Sequence, residues 1–369
     1  MKGTSRIVEH DPARRMTQLR AWLARHFPPE RGARYALKPN ISSERPAETG
    51  ATTDLELVRT VARHLLDHGA CPVIVELPPH IRNLRRVMAL TGYVDLAREL
   101  GVELVVPDDP EDFVSVGRLF GVVPCRVARA AWETAGIINI PKIKTHIRTH
   151  FSAAVKNTMG LTDMPTRHAI HVLGLHRGIA QLYRLVAPRL ALNILDGGVM
   201  MHGLGPTRGD PLKLNALILS EDAVEADLDA LTATGIELAR VRHLILLAGG
   251  RSPGQAGAGK LLQARPVNVC PPWPDYLREA LTTQPLLRRL LQRLDLDYIS
   301  HRRPLVPAGR PDLDRLCPYG AIQQGELLPE QCNGCLRCLA PESPLTQEQG
   351  AAHKLRVLGE LLRKVGGAP

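Results

Sequence analysis

The chain has 369 residues, a formal charge of +10 and only 4% aromatic residues, enough length for one large domain or two ordinary ones with real cores. The positive charge invites nucleic acid, but only 9 of the 47 basic residues are lysine and the arginines are spread over most predicted helices; with so few aromatics for base stacking, nucleic acid is not the expected partner. No apolar run approaches the ~18 residues a membrane helix needs, and Met1-Lys2-Gly3-Thr4-Ser5-Arg6 leads into charged residues with no apolar h-region, so no membrane is expected either.

In chain order, residues 11–27 read as an amphipathic helix with Met16, Leu19, Trp22 and Leu23 on one face. Residues 33–55 read as loop, with Lys38-Pro39-Asn40, Ser42-Ser43 and Thr52-Thr53. A helix is predicted from Asp54 to His68, its apolar face Leu55, Val58, Val61, Ala62 and Leu65, stopped by Gly69. A buried strand follows over 72–77, then a helix over 94–100 and a strand over 102–106. This alternation predicts an α/β fold, with a parallel or mixed sheet flanked by helices. Further strands are expected at 136–141, 190–196 and 214–219, a helix over 222–234 and an apolar run at 243–247.

Taken as segments, the pattern gives an N-terminal helix (1–32), an α/β domain (33–263) and a Pro/Arg-rich linker with one amphipathic helix at 276–293 (264–312). A ferredoxin-like module (313–345) and a basic C-terminal helix and tail (346–369) complete it.

The densest chemistry of the α/β domain is Pro141-Lys142-Ile143-Lys144-Thr145-His146-Ile147-Arg148-Thr149-His150, continuing to Lys156-Asn157. Three of the nine lysines fall within the fifteen residues from Lys142 to Lys156. Lys142 and Lys144 share a face if extended, His146 and His150 if helical. Cations and imidazoles at the carboxyl end of a predicted strand stand where ligand sites open in parallel α/β folds, and an anionic small molecule or cofactor, carboxylate or phosphate, is the natural guest. Lys142, Lys144 and Arg148 are the expected anion binders, and His146 the expected proton donor. Lys144, His146, Lys156 and Asp196 form the candidate catalytic set; the ordinary alternatives are a solvated loop for the lysines and a turn-holding role for Asp196 before its two glycines. His168, His171 and His176 fit no single helix face. Asp222 is expected to cap the following helix, with Asp227 exposed on it. Gly254-Gln-Ala-Gly-Ala-Gly259-Lys260 nearly spells a phosphate-binding loop, but Leu261 stands where the Mg2+-holding hydroxyl belongs.

Near the C-terminus, Cys332-Asn-Gly-Cys335-Leu-Arg-Cys338 supplies three thiolates at the spacing that grips a [4Fe–4S] cube, and Cys317-Pro318 offers the fourth. One cluster is expected; Pro307, Arg310 and Leu313 occupy the places a second motif would need. Zinc is the alternative occupant of four such cysteines. Cys71, Cys125 and Cys270 stand beside apolar residues and are expected to be buried. Free cysteines with a cluster motif point to a reducing cytoplasm.

At Lys38-Pro39-Asn40, Thr52-Thr53-Asp54, Ile140 to His146, Lys156-Asn157, Asp196-Gly197, Gly203 to Thr207, Ser220-Glu221-Asp222 and Asp227, the sequence resembles the family known as domain of unknown function 362, uncharacterised Fe–S centre proteins. The resemblance covers about residues 33–340 and implies an α/β domain with a C-terminal ferredoxin-like segment, without assigning a reaction. A second similarity, to lactate racemase-type nickel-pincer proteins, would cast His146, His150 and Lys156 near a cofactor, with Ala153-Ala154 where a glycine pair is expected. The leading expectation is an iron–sulfur oxidoreductase or electron-transfer protein, served by a redox partner protein. The alternatives are a non-redox acid–base or metal-assisted enzyme with a structural cluster, and a redox-sensing or nucleic-acid-binding module.

Overall fold

A computed structural model describes residues 4–77, 84–203, 205–206, 209–253, 261, 304–307, 310–317, 320–328, 338 and 346–347. The chain opens with β1 (Ser5–Val8), α1 (Pro12–His26), β2 (Arg34–Pro39), α2 (Leu55–Asp67), β3 (Cys71–Val75), α3 (Leu84–Leu90), α4 (Tyr93–Leu100) and β4 (Glu103–Val105). A hairpin of β5 (Phe113–Leu119) and β6 (Val123–Ala128) and the short α5 (Arg129–Trp132) lead to β7 (Gly136–Ile140), β8 (Lys142–His146), β9 (His150–Ser152) and α6 (Ala154–Asn157). Then come α7 (Met164–Leu173), α8 (Leu175–Val186), β10 (Leu190–His202), β11 (Asp210–Leu212), β12 (Ala216–Ser220), α9 (Ala223–Thr234) and α10 (Arg242–Ala248).

The main sheet runs β1-β12-β10-β7-β2-β3-β4. Its β10-β7-β2-β3-β4 part is parallel, whereas β12 is antiparallel to both β10 and β1. The sheet is therefore mixed. Successive strand residues alternate between two cores, as the pleat requires: Ala36, Val73, Ile137 and Ile218 join one apolar cluster, and Leu37, Ile74, Ile138 and Leu217 the other. Residues of α1, α2 and α4 cover the second face, and residues of α6, α8, α9 and α10 the first. Burial on both faces explains why these strands read as apolar runs.

Helix limits follow local chemistry. Asp11 caps α1 through Ala13 N, Asp54 caps α2 through Glu56 N, and Asp222 caps α9 through Val224 N and Glu225 N. Gly235, left-handed at φ 67°, closes α9.

Several expectations need correction. The presumed loop 33–55 contains β2, a central strand buried from Tyr35 to Pro39; its Arg-Tyr-Ala-Leu-Lys-Pro run hides a buried lysine that interrupts the apolar pattern. The strand expected to end at Asp196 continues to His202, because β8 and β11 pair with its second half. His146 and His150 do not share a helix; they face each other across the β8–β9 hairpin. Asp227 is buried, not exposed, and Cys71 is exposed at the start of β3, while Cys125 is buried. The near-phosphate-loop segment 254–260, the predicted helix at 276–293, the predicted C-terminal helix and tail beyond residue 347, and Cys270, Cys332 and Cys335 lie outside the described residues. Among the described residues, no helix is long and apolar enough to cross a membrane.

Candidate functional site

Polar residues converge where β2, β3 and β7 end beside the middle of β10. Lys38, second to last in β2, donates from Nζ to Glu76 Oε2 at 2.8 Å and to the Pro39 carbonyl at 2.7 Å. The Glu76 carboxylate, just past β3, also accepts the Ile41 and Leu77 amides. Both side chains are buried, so each charge is compensated where water cannot reach it. Gly160 closes over the pair: a Cβ there would lie 2.6 Å from Lys38 Nζ and 2.7 Å from Glu76 Oε1.

A second buried pair follows from register. Asp196 on β10 aligns with Lys142 on β8, and Lys142 Nζ donates to Asp196 Oδ2 at 2.8 Å. The same carboxylate accepts the Asp54 amide through Oδ2 and the Gly198 amide through Oδ1. Asp196 is thus tied down by three donors, and the Lys142 amine is spent on it. Desolvation, then the repulsion of Asp196, raises the Asp54 carboxyl to about 6.

Lys144 differs from both. It is 1% exposed, and its Nζ donates to the Ser42 hydroxyl and, at 2.6 Å, to the Ala51 carbonyl. Among the described residues no carboxylate hydrogen-bonds to it. Burial, reinforced by the neighbouring Lys156 and Lys142, holds its pKa well below the ordinary lysine value. Lys156 on α6 is half-buried and has no hydrogen-bonding partner among the described residues. Desolvation, followed by Arg167 and Arg148, lowers it to about 8.

His146 ends β8, and its Nδ1 accepts the Arg148 amide at 3.0 Å and the Thr149 amide at 3.3 Å. Nδ1 is therefore the acceptor nitrogen, which assigns the proton of the neutral ring to Nε2. Burial, then Lys156 and His171, keeps its pKa well below the usual imidazole range. Arg148 is half-exposed, and its Nη1 lies 2.9 Å from His171 Nδ1.

An amide ladder supports α6, which carries Lys156. Asn40 Nδ2 donates to Asn157 Oδ1, Asn157 Nδ2 to Asn139 Oδ1, and Asn139 Nδ2 to Asn193 Oδ1. Asp227 reaches across from α9 and accepts the Ala154 amide at 2.6 Å and the Val155 amide at 3.0 Å, capping α6 from outside its own sequence. Its carboxyl is raised to about 7, chiefly by burial.

Lys142, Lys144, His146, Arg148, Lys156 and Asp196 all belong to this region, and His150, the partner of His146 across the hairpin, has its pKa lowered by burial and then by the charge of Arg240. His168 and His171 lie on α7 and His176 on α8, where His176 stacks on His243 at 5.9 Å between centroids. Among the described residues, no three His, Cys, Asp or Glu side chains form a group able to hold a metal ion. Sequence reasoning missed Glu76, Ser42, Asn139, Asn193 and Arg167. The available signal was position: Lys38 and Glu76 each end an apolar run, the strand-end location at which parallel sheets present functional groups.

At the C-terminus, Cys317 follows a 3-10 turn over Pro311–Leu316, and its Sγ accepts the Ala321 amide at 3.3 Å. Cys338 is buried with Leu313 and Ile322 in a small apolar cluster against which Cys317 packs. Two of the four cysteines of the C-terminal motif thus pack in the same apolar group.

Among known proteins, the chain is 26% identical over 208 residues to the thylakoid-associated protein sll1697 of Synechocystis, an overlap of 53% of this chain and 61% of that one. The chain thus spans about three fifths of that relative's length. Among solved structures, the lactate racemase apoprotein of Thermoanaerobacterium thermosaccharolyticum matches with a TM-score of 0.38 and 15% identity, covering 55% of this chain and 50% of the other. Residues 36–232, from β2 to α9 and so including every lysine described above, match the family described as Domain of unknown function (DUF362), to which this chain belongs.

Proposed function

We propose that the protein is an enzyme whose reacting molecule is a small anion, a carboxylate or phosphate, held at the carboxyl edge of the sheet by Lys144 and Lys156. The observation that carries this reading is the asymmetry among the buried lysines: Lys38 and Lys142 each hold a carboxylate, while Lys144 holds only a hydroxyl and a carbonyl. Burying a cation without a counter-charge costs several kcal/mol, so the Lys144 amine is driven toward its neutral form, and a bound anion supplies the partner its ammonium lacks. The Lys156 amine, lowered to about 8, suits proton transfer near pH 7, while His146, held well below the usual imidazole range, stays neutral there and offers its Nε2–H as a hydrogen-bond donor.

Thermal unfolding in the presence of acetate, lactate, phosphate and sulfate tests the anion site. A ligand at a hundred times its Kd adds about 2.7 kcal/mol; the wild type gains such a shift from at least one anion, and Lys144→Met loses it. If no anion stabilises the wild type, the site is not an anion site.

A further part of this reading is a single [4Fe–4S] cluster on Cys317, Cys332, Cys335 and Cys338, supported by the packing of Cys317 with Cys338 and by the amide donated to Cys317 Sγ. Such a cluster supplies one-electron chemistry, making the enzyme an oxidoreductase served by a redox partner protein. EPR of anaerobically reconstituted protein, titrated with dithionite, tests it; a sample without a reducible S = 1/2 signal removes the redox class and leaves the acid–base enzyme.

A further inference from the structure

We propose that Lys144 is a nucleophile that takes a small 2-oxo acid as a covalent iminium through its Nζ. This rests on the anion site above and specifies its substrate class. A neutral amine has two N–H bonds and one lone pair. Both donors of Lys144 are accounted for, one by Ser42 Oγ and one by the Ala51 carbonyl, so the lone pair points away from both. Lys38 and Lys142 each spend their amine on a carboxylate and are not presented to a ligand. Burial, reinforced by the neighbouring Lys156 and Lys142, favours the free amine, a known way to activate a lysine.

The same cations define what is recognised. Lys156 has no hydrogen-bonding partner among the described residues, and its amine receives the carboxylate of the ligand. The carbonyl one bond away then faces Lys144. Because Lys144 is covered by the segment 40–52, closed by the Ile41–Thr52 bridge, the ligand is small and enters beside the half-exposed Ser42.

In the reaction, Nζ forms a bond to the carbonyl carbon, and one amine proton passes to the former carbonyl oxygen. The resulting hydroxyl departs as water with a second proton, supplied by the Lys156 ammonium. The lone pair of nitrogen closes the C=N bond, and the iminium keeps one N–H and the positive charge.

Reductive trapping with pyruvate and sodium cyanoborohydride tests this in the full chain, because hydride converts the iminium to a stable secondary amine. Trypsin does not cleave at an alkylated lysine, so the adduct is read on the peptide Ile143–Arg148. Expected is modification of Lys144 in preference to the exposed Lys213, slowed at least about tenfold by Lys156→Met, as expected for a lost ionic anchor worth about 1.4 kcal/mol. Labelling of Lys213 with Lys144 unmodified overturns the proposal, as does Lys144 labelling that is no faster in the native protein than in urea. If acetate or phosphate still raises the Tm while Lys144 stays unmodified, the anion site survives and the nucleophile does not.

Discussion

A buried lysine is informative through what it lacks. Lys144 sits within a β-strand at 1% exposure, so its amine pays the desolvation cost of a core position while meeting only neutral oxygens. Replacement by methionine, similar in length and apolar, removes that cost, and the Ala51 carbonyl keeps the Ser42 hydroxyl as donor. Lys144→Met is therefore expected to raise the stability of the ligand-free protein by roughly 1–4 kcal/mol in urea denaturation, even as it abolishes anion-dependent stabilisation. A loss of stability in the ligand-free state would mean that Lys144 has an ionic partner in the fold.

Lys156 adds a pH signature. Its folded pKa, about 8, lies below the ordinary 10.5, so between these values the unfolded chain binds more protons than the folded one. Stability of the ligand-free protein should therefore rise across that window as far as this group contributes. Anion binding needs the ammonium and should fade as pH climbs through about 8. Anion affinity measured by calorimetry from pH 6 to 9.5 checks it; a flat profile in the wild type would exclude Lys156 as an anchor.

At the scale of elements, the question is how four residues, Ala154–Asn157, hold a helix at the sheet edge, since a single turn is not stable alone. The answer is external support. Asp227 satisfies two of its orphan N–H groups, and Asn157 docks it onto Asn40, Asn139 and the carbonyls of Lys38 and Pro39. Asp227→Ala would strand two buried donors at roughly 1–3 kcal/mol each. The expected loss in urea denaturation is about 2–5 kcal/mol, with weaker anion binding because Lys156 rides on this turn. Asp227→Asn, which keeps one acceptor, should fall between; equal stability of Asp227→Ala and wild type would show that α6 is held otherwise.

These supports also mark the limit of what the sequence reveals. Helices α1, α2 and α9 were legible because their apolar spacing and Asp caps are local signals. Strands β3, β7 and β12 were legible as apolar runs bounded by breakers. Strand β2 was not, because Lys38 lies buried inside it and only Glu76, 38 residues away, compensates its charge. Lys142, Lys144 and His146 stood out through the density of cations in one segment. Their different roles did not, because Lys142 becomes an internal counter-charge only through its register with Asp196, 54 residues later in the chain.

For the whole molecule, the anion site and the proposed cluster draw on separate stretches of chain, with the site's lysines between 38 and 156 and the cysteines between 317 and 338. Among the described residues, the two cores around the main sheet contain none beyond Ala248, and the apolar cluster holding Cys338 contains none before Val306. Removing a thiolate should then damage one function and spare the other fold. Cys317→Ser keeps the size of the side chain but replaces a soft ligand by a poor one for iron. The expected outcome after anaerobic reconstitution is loss of iron, acid-labile sulfide and visible absorbance, with far-UV circular dichroism and the anion-induced rise in Tm both retained. The same variant tells iron from zinc: a wild-type protein that is colourless and carries about one zinc per chain, released in Cys317→Ser, would replace the cluster by a zinc site while leaving the lysine site intact. Collapse of the anion response together with the metal would instead mean that the C-terminal segment completes the substrate site, joining the two stretches into one catalytic unit.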